Sequence, residues 1–421
     1  MRLHCYLLLF TATLAFPQRP PINTDEAKVG AYTLPDLQAK SKKDWETRRR
    51  PELLAAFADN IYGVTPKIET KLRAEVTAVK KDALNGLATR SLITLHLFED
   101  PAAPKIQLML YVPNGATKPA PTYLGLNYLG LGSLEADPAL PMTDKFVITN
   151  PEKGVVNNRV TEKTRGAHAS RWPLEMALRR GYAVATYFYG DLEEDYPEGW
   201  RDGLKGYLRK KAGQSMDAPA APTEWGSLGV WAWGLSRCLD YLQTNKAIDA
   251  KRVAVFGHSR HGKTALWAGA QDERFAAVIS NDSGEGGASI TRRNFGEHIA
   301  LSVYAAARWY CPNYKNFAGR PEALPTDQHM LVALAAPRPV YVASATEDLG
   351  ADPKGEFLAA LHAAPAYKLY GFRGLEVESM PPPDRPVGHR IGYHVRTGIH
   401  DITAYDWEQF LNFTDRNWKR R

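Results

Sequence analysis

The chain has 421 residues, 44% hydrophobic and 24% charged, a composition that excludes a disordered protein and supplies a large core. Lysine and arginine exceed aspartate and glutamate by seven, 53 against 46. Such an excess suits a polyanionic substrate without defining one, because net charge speaks to solubility and association rather than to chemistry.

The first expected feature is a leader: Met1-Arg2, an apolar run from Tyr6 to Phe16, and Thr13-Leu14-Ala15 as a small-x-small cleavage site. A signal peptide over 1–16 makes the mature protein secreted or periplasmic. No later run approaches the roughly 20 apolar residues of a membrane span, so a membrane is not an expected partner; nor is nucleic acid an expected one. Cys5 falls in the leader, which leaves Cys238 and Cys311 as either a disulfide or two buried thiols.

Apolar runs rich in β-branched and aromatic residues then recur at Leu92–Leu97, Ile106–Val112, Tyr123–Leu126, Ala183–Tyr189, Val253–Phe256, Ala276–Ile279, Val340–Ala343 and Tyr367–Tyr370. From the fourth onward, helical patterns separate them. One such pattern, Trp225–Leu242, carries Leu228, Trp231, Leu235, Leu239 and Leu242 at helical spacing, which makes its tryptophans core. Hairpin strands followed by βα units define an α/β-hydrolase fold, a mostly parallel sheet between helical layers. Segments 130–165, 190–222 and 373–391, the last with Pro381-Pro382-Pro383, fit no regular element and are expected to wall the site. Nothing divides the chain, so 17–421 is expected to form one catalytic domain, and a monomer.

Gly257-His258-Ser259-Arg260-His261-Gly262 lies between the run Val253–Phe256 and the helix-like stretch Lys263–Ala270. A strand, a sharp turn bearing a serine and a helix make a nucleophile elbow, although the second glycine of G-x-S-x-G comes one residue late. A serine nucleophile needs a base and an acid, in the order serine, acid, histidine. His400, in Thr397-Gly398-Ile399-His400-Asp401 before the terminal helix Tyr405–Phe413, occupies the place of the base. Two acids follow successive strands: Asp282, and Asp348 with Glu347 beside it. His258 and His261 flank a serine without a third metal ligand at suitable spacing. Without a Walker loop, a dinucleotide fingerprint or clustered zinc cysteines, no cofactor is expected.

These residues resemble the glucuronoyl esterases, secreted carbohydrate esterases cleaving the ester between 4-O-methyl-glucuronic acid of xylan and lignin alcohols. The resemblance rests on Gly257–Lys263, Asn281–Gly287, Arg292–Glu297, Asp327-Gln328-His329 and Gly398–Asp401, and looks closest to bacterial members. It implies Ser259 as nucleophile, His400 as base, Arg260 at the oxyanion, and Lys263 and Glu297 on the uronate sugar. Lys263, one turn after Ser259, is expected to face the same pocket. Fungal members keep a glutamate at the position of Asp282 and many bacterial ones an acid at that of Asp348. Asp348 is therefore favoured, with Asp282 as its partner or substitute. Related bacterial sequences carry a tryptophan at the position of Gly350, and His258 replaces a fungal cysteine. The expected substrate is a glucuronoxylan or lignin–carbohydrate ester. An acetyl-xylan or related acyl esterase is the alternative enzyme, and a non-catalytic polysaccharide-binding protein the alternative from another class.

Overall fold

The computed structural model describes residues 18–418, so the expected leader and Cys5 lie outside the described residues. A ten-stranded sheet organises the chain. Its strands are β1 (Arg73–Asp82), β2 (Ala88–His96), β3 (Lys105–Pro113), β4 (Ala120–Asn127), β5 (Ala183–Phe188), β6 (Ile248–His258), β7 (Ala277–Asn281), β8 (Val340–Ala345), β9 (Val387–Gly388) and β10 (Ile391–Arg396). Across the sheet they run in the order β1-β2-β3-β5-β4-β6-β7-β8-β10-β9. The pairs from β1 to β5 are antiparallel, those from β5 through β10 are parallel, and β9 closes the far edge antiparallel.

Parallel strands covered on both faces read as continuous apolar runs, and alternate side chains enter different layers. On β6, Val253 and Val255 enter one core, while Ala254 and Phe256 enter the other. The first layer holds Trp231 of α1 (Ser227–Thr244) and Trp267 of α2 (Arg260–Gln271), with Phe357 of α3 (Pro353–His362). The second holds Trp407, Phe410 and Phe413 of α4 (Ala404–Asn417). Helices on both faces of a mostly parallel sheet are the expected α/β-hydrolase architecture.

Two strand readings need correction. Tyr367–Tyr370 is not a strand: Ala364–Lys368 is a short helix opened by Pro365, and Tyr367 is buried with its hydroxyl donating to the Arg338 carbonyl at 2.7 Å. A four-residue apolar run does not separate a buried helix turn from a strand. The last parallel position belongs instead to Ile391–Arg396, paired with β8 from Val340↔Ile391 to Ala345↔Arg396. The second omission is β1, whose lysines and nearly complete exposure hide its period. Cys238 and Cys311 are buried free thiols. Among the described residues, no helix is long and apolar enough to cross a membrane.

Candidate active site

The sharpest backbone feature is at Ser259. It follows β6 directly and caps α2 with φ 57° and ψ −130°, a conformation a β-carbon disfavours and one that persists only where its surroundings impose it. The Ser259 amide donates to the Asn281 carbonyl at 2.8 Å, which ties the turn to β7. A β-carbon at Gly257 would sit 2.0 Å from the His261 carbonyl oxygen, and one at Gly262 3.0 Å from the Ser283 Cβ. Close approach is thus needed at 257 and 262, and position 261 is free to carry a side chain. His261 stacks on Tyr128 with centroids 3.9 Å apart, and burial pushes its pKa well below the ordinary imidazole value. It is a buried aromatic contact, which accounts for the displaced glycine.

Ser259, Arg260, His258 and His400 line one cavity of about 260 Å³, together with Tyr128, Tyr189, His168, Arg171 and residues of segment 147–153. The walls therefore come from the irregular stretches as well as from the sheet edge. Segment 190–222 contributes Asp195, a buried carboxylate 3.1 Å from the Arg260 guanidinium. Asp195 also receives Arg308, at 2.6 Å, and the indole N–H of Trp309, at 2.7 Å. Arg260 lies over the rings of Tyr128 (4.5 Å), Tyr189 (5.3 Å) and Trp309 (5.7 Å). Burial alone would lower its pKa, but Tyr189 and Asp195 hold it raised and the side chain cationic. Segments 190–222 and 373–391 are not wholly irregular, since the first holds a helix, Leu204–Lys211, and the second β9 and the first residue of β10; segment 373–391 acts farther off, through Asp384, which accepts from the amide and hydroxyl of Thr397.

His400 stands in the loop between β10 and α4 and is 43% exposed along its side chain. Its Nδ1 lies 2.5 Å from Oδ2 of Asp348, the residue after β8 that the sequence reading favoured. The loop is fixed by its own backbone contacts. The Glu347 amide donates to Gly398 O at 2.9 Å, and Arg396 Nη2 donates to the carbonyls of Ile399 and Asp401 at 2.6 and 2.7 Å. Behind it, the buried carboxylate of Asp406 in α4 accepts from His394, Arg396, Asn281 and the amide and hydroxyl of Thr403.

Asp282 takes a different position. Its Oδ2 accepts from the Asp401 amide at 3.3 Å and lies 3.5 Å from Arg396. Burial, then Glu356 and Asp348, push its pKa well above the usual carboxylate range. Donor atoms of Asp282, Asp348 and His400 all lie within 4.8 Å of one another. Asp348 engages Nδ1 of His400, whereas Asp282 bonds the loop backbone. Deeper still, burial pushes Glu356 up to about 8 while it accepts from Ser283, Gly284 and Ser344.

Lys263 departs from the expectation that it face the Ser259 pocket. It is 3% exposed, and Nζ donates to Ser283 O at 2.5 Å, Glu285 O at 2.7 Å and Glu297 Oε2 at 3.3 Å. All three of its donors are engaged within the protein. Helical phase gives the side a residue faces, but not the carbonyls that turn it inward. Glu297 has a half-exposed side chain, and its amide donates to Gly350 O at 2.7 Å. At Gly350, a β-carbon would meet only Asp348 Oδ1, at 3.6 Å, so the position opens onto free space.

Sheet, elbow and histidine loop together define an α/β-hydrolase. The family profile described as "Glucuronyl esterase, fungi" matches residues 210–371. Carbohydrate esterase MZ0003, from an unknown prokaryotic organism, is 41% identical over 426 residues, covering 98% of this chain and 97% of its own. The solved structure of a glucuronoyl esterase from Solibacter usitatus superposes with a TM-score of 0.87 at 43% identity, over 93% of this chain and 100% of that one. A 4-O-methyl-glucuronoyl methylesterase of Phanerochaete chrysosporium is 33% identical over 186 residues, 40% of this chain and 38% of its own. The chain belongs to the glucuronoyl esterase family, and it is a carboxylic ester hydrolase.

Proposed function

We propose that the protein is an exported serine esterase that hydrolyses esters of (4-O-methyl-)glucuronic acid, including those joining xylan to lignin alcohols. The observation that carries this reading is the 2.5 Å contact between His400 Nδ1 and Asp348, in a loop whose histidine shares one cavity with Ser259 and Arg260. Relatives of known name act in the same direction, the fungal ones as glucuronoyl methylesterases.

In this mechanism, Nε2 of His400 takes the Ser259 hydroxyl proton as Oγ attacks the ester carbonyl carbon. Asp348 orients the imidazole and stabilises its cation. The oxyanion forms against the Arg260 guanidinium and the Arg260 amide that opens α2, since the Gly262 and Lys263 amides of the same turn already donate to Ser259 O. The intermediate then expels the alcohol, which takes the proton from His400, and leaves a glucuronoyl ester on Ser259. Water, deprotonated by His400, attacks that ester; the uronic acid leaves and the serine recovers its proton. On the sugar side, Glu297 offers an exposed acceptor for hydroxyls, and Lys263 holds Glu297 in place.

Benzyl glucuronate tests this reading. The wild-type protein releases benzyl alcohol and Ser259→Ala does not; turnover that survives in the variant refutes the serine mechanism. A second reading, a broader acyl esterase acting on acetylated xylan, draws support from the open space at Gly350 and the engaged donors of Lys263. Acetyl esters cleaved faster than glucuronate esters would favour it.

A further inference from the structure

We propose that His258 is a positioning residue whose ring holds the ring plane of His400. The two rings lie 4.5 Å apart between centroids with an interplanar angle of 42°. A hydrogen bond at Nδ1 fixes one atom of a histidine and leaves the ring able to pivot about it. His400 is half-exposed and is bonded there by Asp348 alone, so a second contact on its face is what fixes Nε2 relative to Ser259.

The tautomer of His258 follows from its neighbours. Asp406 can only accept, so Asn281 Nδ2 donates to it, at 3.4 Å, and Asn281 Oδ1 is turned toward His258. That oxygen lies 2.7 Å from His258 Nδ1, which is therefore the protonated nitrogen, and Nε2 is bare. A positive charge on this ring would be opposed by Arg171 and by His400 as it becomes a cation in the reaction, while Asp282 Oδ2, at 3.9 Å from Nδ1, is held toward its neutral form. Burial disfavours the charged ring as well. The groups facing His400 itself are Asp348, Asp282 and this ring. As His400 becomes a cation in the reaction, a neutral neighbour keeps contact with it where a charged one would repel it. The Tyr128 hydroxyl, donating to the main-chain carbonyl of His258 at 2.5 Å, fixes its backbone, and Asn281 holds the ring.

The inference rests on His400 as the base but not on the identity of the substrate, so it is tested with whichever ester the wild-type protein turns over, benzyl glucuronate or p-nitrophenyl acetate. His258→Phe keeps a ring without the hydrogen bond, and His258→Gln keeps a donor for Asn281 without the ring. The expected result is kcat within a few-fold of wild type for His258→Phe, with the acid limb of its pH profile unmoved. His258→Gln is expected to lose on the order of tenfold in kcat at unchanged KM. Equal losses in both variants, a loss confined to His258→Phe, or no loss in His258→Gln overturns the proposal. If His258→Phe fails to fold, His258→Gln decides alone: lower kcat with unchanged KM and Tm supports it, and unchanged kcat overturns it. Failure of the wild-type protein on both esters overturns the proposed function, and this inference with it.

Discussion

Asp348 bonds the imidazole of His400 at 2.5 Å, whereas Asp282, at the end of the adjacent strand, bonds the main-chain amide of the next residue, Asp401. The two acids therefore divide the task. One faces the ring and the other its loop. Asp348→Asn is expected to lower kcat about 100- to 10,000-fold, because an amide at that place neither fixes the Nδ1–H tautomer nor stabilises the cation. Asp282→Asn, which resembles the protonated acid, is expected to lower kcat by less than about tenfold. Parallel kinetics of the two variants check the order; a larger loss for Asp282→Asn would reverse the assignment.

Arg260 is held between Asp195 and three aromatic rings, with no slack for a shorter or uncharged side chain. Arg260→Gln is expected to lose about 3 to 4 kcal/mol of transition-state stabilisation, seen in kcat more than in KM. An effect confined to KM would place the guanidinium on the ground-state substrate instead.

Position 350 allows the opposite kind of change. A β-carbon there meets nothing closer than 3.6 Å. Gly350→Trp should therefore fold and add an aromatic wall beside Glu297, worth about 1 kcal/mol, or roughly a fivefold lower KM for glucuronate esters. Acetyl esters, which have no ring to stack, serve as the control. An equal change for both substrates would show that the indole does not reach the sugar.

Glu356 makes stability depend on pH in a direction unusual for an acid. Burial raises its pKa from 4.5 to about 8, so between those values the folded state binds a proton that the unfolded state has lost. Its contribution is fully present below about 4.5 and declines as pH rises to about 8. Glu356→Gln keeps an acceptor for the Ser283 and Gly284 amides and cannot ionise. The fall in Tm across that window should be shallower in the variant; parallel Tm–pH curves would remove Glu356 as its source.

The placement of Ser259, Asp348 and His400 at one edge of the sheet is legible in the sequence because each follows a strand, and the order of those strands is a property of the chain. The Tyr367–Tyr370 error left that order intact, since Ile391–Arg396 still precedes His400. The walls were not readable residue by residue. Tyr128, His168, Arg171 and Asp195 lie at strand ends or in irregular backbone, where no period marks a side chain's direction. Of these, only Asp195 falls in a segment, 190–222, expected to surround the site. Lys263 shows the complementary limit, because the helical pattern placed it near the site without revealing that Ser283 and Glu285 turn its ammonium inward.

The anchoring of the histidine loop on Asp406 has a consequence for synthesis. Asp406 lies in the terminal helix, yet it gathers Asn281 from β7, His394 and Arg396 from β10 and Thr403 from the loop itself. A ribosome-bound chain carries the serine elbow before α4, the helix that fastens its base, has been made.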